Sequence, residues 1–160
     1  MTKPEPLGPE HHLWGFDCGS NVINSWLQNS ALKAQLANSS RTFVVLSDKK
    51  VVGFFSLATA SLLYAELPQA QRNNLGQHPV PMMLLTRMGV DKSFQHRGLG
   101  AAMVKDAVIK CLAVQQAAGL VGLMAHALDE SVAEFYLKLG FERSPTNPLL
   151  LSLGLLLQGD

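Results

Sequence analysis

The feature that most restricts the fold is an amphipathic stretch that lies between two apolar segments. From about residue 98 to 118 the apolar side chains recur at intervals of three and four residues, which predicts a helix. The segments at 82–90 and 120–126 read as buried strands. A strand, a helix and a second strand in this order form a crossover, which joins parallel strands. The sequence therefore predicts an α/β fold with parallel pairing at this point.

The rest of the chain predicts antiparallel pairing beside this crossover. Two β-branched and aromatic segments, 41–47 and 51–63, flank the polar residues 48–50 and predict a hairpin. Ser20 is suited to cap a helix that runs to about residue 36, and Asp129 to cap a helix that ends at Gly140. We further expect one short helix in the long connection at 65–81 and short strands near Leu13, at 141–143 and at 149–157. The prediction is one domain over 1–160, a mixed and mostly antiparallel sheet with helices on both faces.

Composition excludes several classes of protein. The 160 residues are 48% hydrophobic and 16% charged, which is enough for one core and rules out general disorder. The net charge of +1 excludes a polycation, although basic residues cluster at 30–50 and 85–110. No apolar run reaches membrane-spanning length, and the N-terminus lacks the apolar region of a signal peptide. Two cysteines form no disulfide framework, and no metal-ligand spacing accompanies them. We expect a cytoplasmic protein without a metal or a membrane partner.

The clearest chemical signal is the sequence QHRGLG at 95–100, between the strand and the long helix. The first N–H groups of a helix lack partners and carry the positive end of its dipole. Glycines at this position let an anion approach the backbone, and Arg97 adds a positive charge. The sequence is neither a P-loop nor a dinucleotide fingerprint, because it lacks the Lys-Ser/Thr pair and the third glycine. Taken alone, it also fits a glycine-rich turn that binds nothing.

A second motif resolves this choice by resemblance. The sequence AEFYLKLGF at 133–141, together with Gln95, Gly98 and Gly100, resembles the GNAT family of acetyl-CoA-dependent N-acetyltransferases. The resemblance implies the GNAT fold and acetyl-CoA as the acetyl donor. It also implies a role for Tyr136 as general acid toward the CoA sulfur, although spacing alone fits a core tyrosine equally well. The implied cofactor contacts are Met88, Val90, Gln95, His96, Arg97, Gly98, Leu99, Gly100, Ala101 and Asp129.

The N-terminal half narrows the resemblance. The sequences FDCG at 16–19, SRTFVV at 40–45 and SPTNP at 144–148 are similar to those of GNAT toxins from type II toxin–antitoxin modules. These toxins are implied to acetylate the α-amino group of an aminoacyl-tRNA, which blocks translation, with glycyl-tRNA as our candidate. The implied partners are a ribbon-helix-helix antitoxin, operator DNA through that complex, and a second copy of the chain. The candidate tRNA contacts are Lys33, Arg41, Arg87 and Lys92.

The chemistry of the acceptor agrees with this assignment. A free α-amino group has a pKa of about 7.7–8.0, and esterification of the carboxyl group should lower that value. The amine is then largely neutral at cytosolic pH and needs no strong base, which fits the absence of a carboxylate from Thr86, Arg87 and Met88. Two alternatives stay open at this stage. One is acetylation of a small amine or a protein N-terminus, and the other is a non-catalytic partner of an antitoxin on operator DNA.

Overall fold

The computed structural model describes residues 1–72, 75–76 and 78–155, and its strands form a seven-stranded sheet. The strands are β1 (Glu5–Pro6), β2 (Arg41–Ser47), β3 (Lys50–Leu62), β4 (Val80–Val90), β5 (Gly122–His126), β6 (Glu142–Arg143) and β7 (Leu150–Gly154). The helices are α1 (Asn21–Asn29), α2 (Ala31–Leu36), α3 (Leu99–Gln115) and α4 (Glu130–Lys138). No helix within these described ranges is long and apolar enough to cross a bilayer.

The strand order is β1-β2-β3-β4-β5-β7-β6, and its pairing confirms the predicted mixed, mostly antiparallel α/β architecture. β4 and β5, which flank α3, pair in parallel. By contrast, β1 with β2, β2 with β3, β5 with β7 and β6 with β7 pair antiparallel. The predicted hairpin turns at Asp48 and Lys49, whose φ angles of 48° and 67° are the left-handed values that a tight hairpin turn requires.

The chain divides into two compact units. The first comprises Met1–Ala58 and Thr86–Ala107, and the second comprises Thr59–Leu85 and the chain from Val108. In the first unit the buried side chains of Leu7, Phe16, Leu27, Val44 and Phe54 form the core. A buried hydrogen bond of 2.6 Å joins the hydroxyls of Thr42 and Ser56, which face each other across β2 and β3. The prediction of a single domain is not decided by this division.

The second unit has its own apolar core. Leu62, Leu67, Val80, Met82, Met124 and Leu150 are buried in it. The apolar strand β7 lies inside the sheet, because β5 and β6 pair with its two sides. Leu150, Leu151 and Ser152 are at most 2% exposed. The predicted strand at 149–157 extends past β7, and its residues 156 and 157 lie outside the described residues.

Three predictions about local structure were wrong. The N-terminal strand lies at Glu5–Pro6 and not near Leu13, where the structure has an isolated bridge between His12 and Lys50. The helix predicted from Ser20 to residue 36 is two helices, because Ser30 leaves the helical backbone with a φ of −124°. The connection at 65–81 contains two short 3-10 helices, Tyr64–Glu66 and Gln69–Gln71, in place of one. The predicted caps are confirmed, since Ser20 and Asp129 accept from the N–H groups of Ile23 and Val132.

Candidate active site

The turn that connects β4 to α3 has the backbone geometry of an anion site. His96 and Gly98 adopt left-handed φ angles of 63° and 82°, and Arg97 between them does not. Alternation of this kind points successive N–H groups toward one side of the chain and makes a concave, anion-binding surface. An ideal Cβ built on Gly98 meets nothing within 4 Å, so this side of the turn is open. Only glycine combines the left-handed angle with such an approach at little cost.

The start of α3 is fixed in place beneath this turn. The first bond of the helix runs from the N–H of Ala102 to the carbonyl of Gly98 at 3.0 Å, so the N–H groups of 99–101 precede the helical ladder. Leu99 is buried, and a Cβ at Gly53 of β3 would lie 3.1 Å from its side chain. The absence of a side chain at Gly53 thus lets α3 approach β3 closely. The N–H groups of this first turn are therefore held rigidly and are suited to bind phosphate oxygens.

The side chain of Gln95 holds the turn in place through its amide nitrogen. Its Nε2 atom donates to the carbonyl oxygens of Cys18 and Val90, each at 2.9 Å. These bonds tie the turn to the segment before α1 and to the end of β4. Gln95 is thus a positioning residue by its contacts. Its neighbours His96 and Arg97 are exposed, and the Arg97 guanidinium lies 5.0 Å from the ring centre of Phe94.

Residues 16–19 form the other half of this attachment, which sequence reasoning did not identify. The N–H of Asp17 donates to Asp91 at 3.1 Å, and the N–H of Lys92 donates to the carbonyl of Asp17 at 2.8 Å. The Lys92 ammonium also lies 3.5 Å from the Asp17 carboxylate. We call residues 17–19 with 90–95 the clasp. Its only sequence signal was the FDCG motif, whose role the resemblance did not specify.

Hydrogen bonds keep the two carboxylates of the clasp ionised. The N–H of Gly19 and the Asn24 amide donate to Asp17, and these bonds, with the nearby Lys92 ammonium, lower its pKa. Burial acts against the charge of Asp91, but bonds from Ser93 and from the N–H of Asp17 outweigh it and lower the pKa of Asp91 as well. Both groups are therefore structural anions at neutral pH and not candidate bases.

The C-terminal half of β4 offers backbone groups to a ligand rather than reactive side chains. Its register with β5 covers Met82, Met83 and Leu84 and ends there, whereas the strand continues to Val90. Met88 and Val90 are half-buried, and Gly89 between them is buried. A Cβ added at Gly89 would be crowded, because it would lie 3.1 Å from Phe54 and 3.3 Å from Cys18. This close packing holds the end of the strand against the core. The predicted roles of Met88 and Val90 require their backbone groups alone, and they stay predictions.

Tyr136 lies on α4 in the second unit and is 5% exposed. Phe135 and Phe141 each lie 5.1 Å from its ring, centre to centre. Burial raises the pKa of Tyr136 to about 12. The hydroxyl has no hydrogen-bond partner among the residues described. A purely structural core tyrosine, the alternative to a general acid, would bond to a backbone group. The group is therefore a protonated donor at physiological pH. Asp129, also in this unit, caps α4 through Val132 and is exposed.

The four cations predicted to bind tRNA differ in their surroundings. The guanidinium of Arg41 donates to the Gln35 carbonyl at 3.0 Å and to Asn38 at 2.9 Å, so it closes the end of α2. Lys92 belongs to the clasp. Lys33 and Arg87 are exposed, and no carboxylate of the described residues lies within ion-pair distance of either. Of the four cations, Arg87 is the neighbour in sequence of the Met88–Val90 backbone.

Comparison with known proteins agrees with this geometry. Residues 38–143 match the model of the acetyltransferase (GNAT) domain. The chain is 36% identical over 152 residues to a "tRNA-acetylating toxin" of Mycobacterium tuberculosis (strain ATCC 25618 / H37Rv), covering 95% of this chain and 91% of that protein. It superposes with a TM-score of 0.87 on AtaT complexed with acetyl-methionyl-tRNAfMet, at 25% identity over 94% of this chain and 93% of the other. A phenylalanine mutant of a tyrosine in AtaT, bound to the C-terminus of the antitoxin AtaR and acetyl-CoA, superposes with a TM-score of 0.79, at 25% identity over 94% and 90% of the two chains.

Proposed function

The chain belongs to the GNAT family of acetyltransferases, and on that premise we propose that it transfers acetyl from acetyl-CoA to the α-amino group of an aminoacyl-tRNA. The observation that carries the proposal is an anion-binding turn at 95–100 in the same unit as a β4 segment whose ionisable side chain is the exposed Arg87. The turn suits the diphosphate of the donor. The positive charge of Arg87 suits a polyanionic acceptor. The absence of a carboxylate from this segment suits an amine that needs no strong base.

The donor would be held mainly by backbone. The N–H groups at 98–101 would bind the diphosphate oxygens, because the left-handed turn and the open side of Gly98 admit an anion to them. Met88 and Val90 would pair with the amide groups of the pantetheine arm through the part of β4 beyond its register with β5. Gln95 would act indirectly by holding the turn, while His96, Arg97 and Asp129 line or flank the donor as exposed residues.

The reaction needs a neutral amine and a stabilised leaving group. The amine nitrogen attacks the thioester carbonyl carbon, a C–N bond forms and the C–S bond breaks. The proton of the amine passes to water, and the sulfur leaves as a thiolate. We assign Tyr136 as the general acid that hydrogen-bonds to this thiolate and protonates it, after which the tyrosinate regains a proton from water. Its side chain is suited to this role because the hydroxyl stays protonated and has no hydrogen-bond partner among the described residues.

Acetylation would remove the acceptor's function in translation, because an amide nitrogen cannot attack the peptidyl ester. We therefore propose that the protein is the toxin of a type II toxin–antitoxin module, with glycyl-tRNA as a candidate substrate. Its partner would be a ribbon-helix-helix antitoxin, through which the complex contacts operator DNA. The chain itself would form a homodimer in the cytoplasm. The relative named for tRNA acetylation and the antitoxin-bound AtaT structure support this assignment.

Mass spectrometry of charged tRNA tests the reaction. Purified protein is incubated with acetyl-CoA and a pool of aminoacyl-tRNAs, and the 3′-terminal aminoacyl-adenosines are released and weighed. We expect the acetyl mass on one class of aminoacyl-adenosine. Tyr136→Phe should lower this yield about 100-fold, as expected for loss of a proton donor. Tyr64→Phe, at the other tyrosine of the chain, is the matched control and should not.

The same assay separates the proposal from its alternatives. Transfer to a free amine or a peptide N-terminus, with no acetyl mass on any aminoacyl-adenosine, would replace tRNA as the substrate. Growth arrest that is unchanged by Tyr136→Phe would show that chemistry is not the source of toxicity. Co-purification with the antitoxin encoded beside the gene, followed by light scattering, measures the stoichiometry and the proposed homodimer.

A further inference from the structure

A stack of three side chains leads from the core of the first unit to its surface. Phe54 is fully buried, and the indole of Trp26 stacks on it with ring centres 6.2 Å apart and an angle of 19° between the planes. The guanidinium of Arg87 then lies 5.1 Å from the centre of the Trp26 ring. Because the Trp26 ring packs against the core, the Arg87 guanidinium is a planar, positively charged group with an aromatic support beneath it.

Arg87 borders a cavity whose other lining residues have no assigned role. The cavity has a volume of about 450 Å³ and is lined by Asn21, Val22, Ser25, Trp26, Ser30 and Arg87. Its lining combines a cation, an aromatic ring, hydroxyls and an amide, and it includes no carboxylate. The cavity is a shallow depression that is open to solvent. A guanidinium with a planar neighbour stacks readily on a nucleobase, and serine and asparagine side chains bond to sugar and phosphate oxygens.

The position of the cavity limits what it can bind. Arg87 directly precedes Met88, the first residue of the backbone that we assign to the acetylated arm of the donor. In an aminoacyl-tRNA the reacting amine is joined through one ester to the terminal ribose, and that ribose also carries the terminal base. A stacking group beside this backbone is therefore suitably placed for the last nucleoside of the acceptor.

We propose that the cavity bounded by Trp26 and Arg87 binds the 3′-terminal nucleoside of the tRNA, with its base stacked on the Arg87 guanidinium. This inference rests on the proposed function, because the proposed function places the acceptor beside the part of β4 that contains Arg87. It assigns Trp26 as a positioning residue, since the indole lies beneath the guanidinium. The site would read the shared end of all tRNAs and would leave the choice of amino acid to other residues.

Binding of the trinucleotide CpCpA tests the site without any acetylation. The chain has two tryptophans, so Trp14→Phe leaves Trp26 as the only indole reporter. We expect CpCpA to quench the Trp26 emission and an abasic ribose-phosphate trimer of equal charge to quench it much less. Arg87→Lys keeps the charge without the planar face and should weaken CpCpA binding about tenfold, the size of one lost base stack.

The matched control is Arg72→Lys, because Arg72 lies 5.0 Å from the ring centre of Tyr64 in the second unit. It removes the same planar group from another stacked pair and should leave CpCpA binding unchanged. Equal quenching by the abasic trimer, or equal CpCpA affinity of Arg87→Lys and the parent, would overturn the proposal. If the parent protein acetylates no tRNA but its fluorescence is still quenched by CpCpA, the proposed function is rejected and the nucleoside site is retained.

Discussion

Replacing Gly98 with alanine separates the backbone strain of the turn from its ability to bind an anion. Gly98 has a φ of 82°, and an alanine at such an angle costs about 1–2 kcal/mol of folding free energy. An added Cβ meets no atom within 4 Å, so no steric clash adds to this cost. For a chain of this length the strain corresponds to a fall in Tm of about 3–6 °C.

Gly15 provides a control with the same local cost. Its φ is 83°, and an added Cβ there also meets nothing within 4 Å, but it lies outside the turn. Gly15→Ala and Gly98→Ala should therefore lower Tm by similar amounts in differential scanning calorimetry. Only the Gly98 methyl would occupy the space in which a phosphate approaches the N–H groups. Loss of one charged hydrogen bond costs about 1.5–3 kcal/mol, which raises Kd by about 10- to 100-fold.

Isothermal titration calorimetry with acetyl-CoA measures this difference. We expect the parent and Gly15→Ala to bind with the same Kd and Gly98→Ala to bind at least tenfold more weakly. The reasoning is refuted if Gly98→Ala shows the expected fall in Tm but keeps the parental Kd. It is also refuted if both variants lose affinity equally, because the loss would then come from general destabilisation.

Three further predictions address the clasp, the proton donor and the core. Gln95→Ala removes the bonds to Cys18 and Val90 and should raise the KM for acetyl-CoA several-fold with little change in kcat; a fall in kcat alone would contradict its positioning role. Because burial raises the pKa of Tyr136 to about 12, Tyr136 should stay protonated up to pH 10 and should cause no loss of activity below that pH. A rate that falls between pH 8 and 10 in the parent but not in Tyr136→Phe would contradict this. Thr42→Val should lower the unfolding free energy by about 1–3 kcal/mol in urea, because it leaves the buried Ser56 hydroxyl without its partner, and adding Ser56→Ala should restore part of that loss.

Sequence reasoning was accurate where short-range physics decides the outcome. Periodicity identified α3 and its flanking strands, since a buried helical face needs apolar residues every three to four positions. Ser20 and Asp129 were recognised as caps because their side chains bond to N–H groups three residues away. The position of Gly98 predicted an open backbone, and its left-handed φ agrees.

Sequence reasoning failed where distant segments meet. Nothing local to Gln95 shows that its amide bonds to Cys18, 77 residues away in the chain. The predicted contact of Gln95 with the cofactor stays a prediction, and the structure adds that its Nε2 atom bonds within the clasp. The predicted contact of Arg41 with tRNA stays a prediction, and the structure adds that its guanidinium bonds to Gln35 and Asn38 at the end of α2.

The amino-acid sequence alone determined the strand–helix–strand crossover, the helix caps and the glycines of the turn at 95–100. These features depend on backbone angles, on side-chain periodicity and on bonds that span a few residues. Only the tertiary structure decided the break at Ser30 and the bonds of Gln35 to the backbone of Leu7 and Thr42. It also decided the clasp and the stack from Phe54 to Arg87. A side chain's partner across the fold depends on how the strands pair, and no local pattern contains that information.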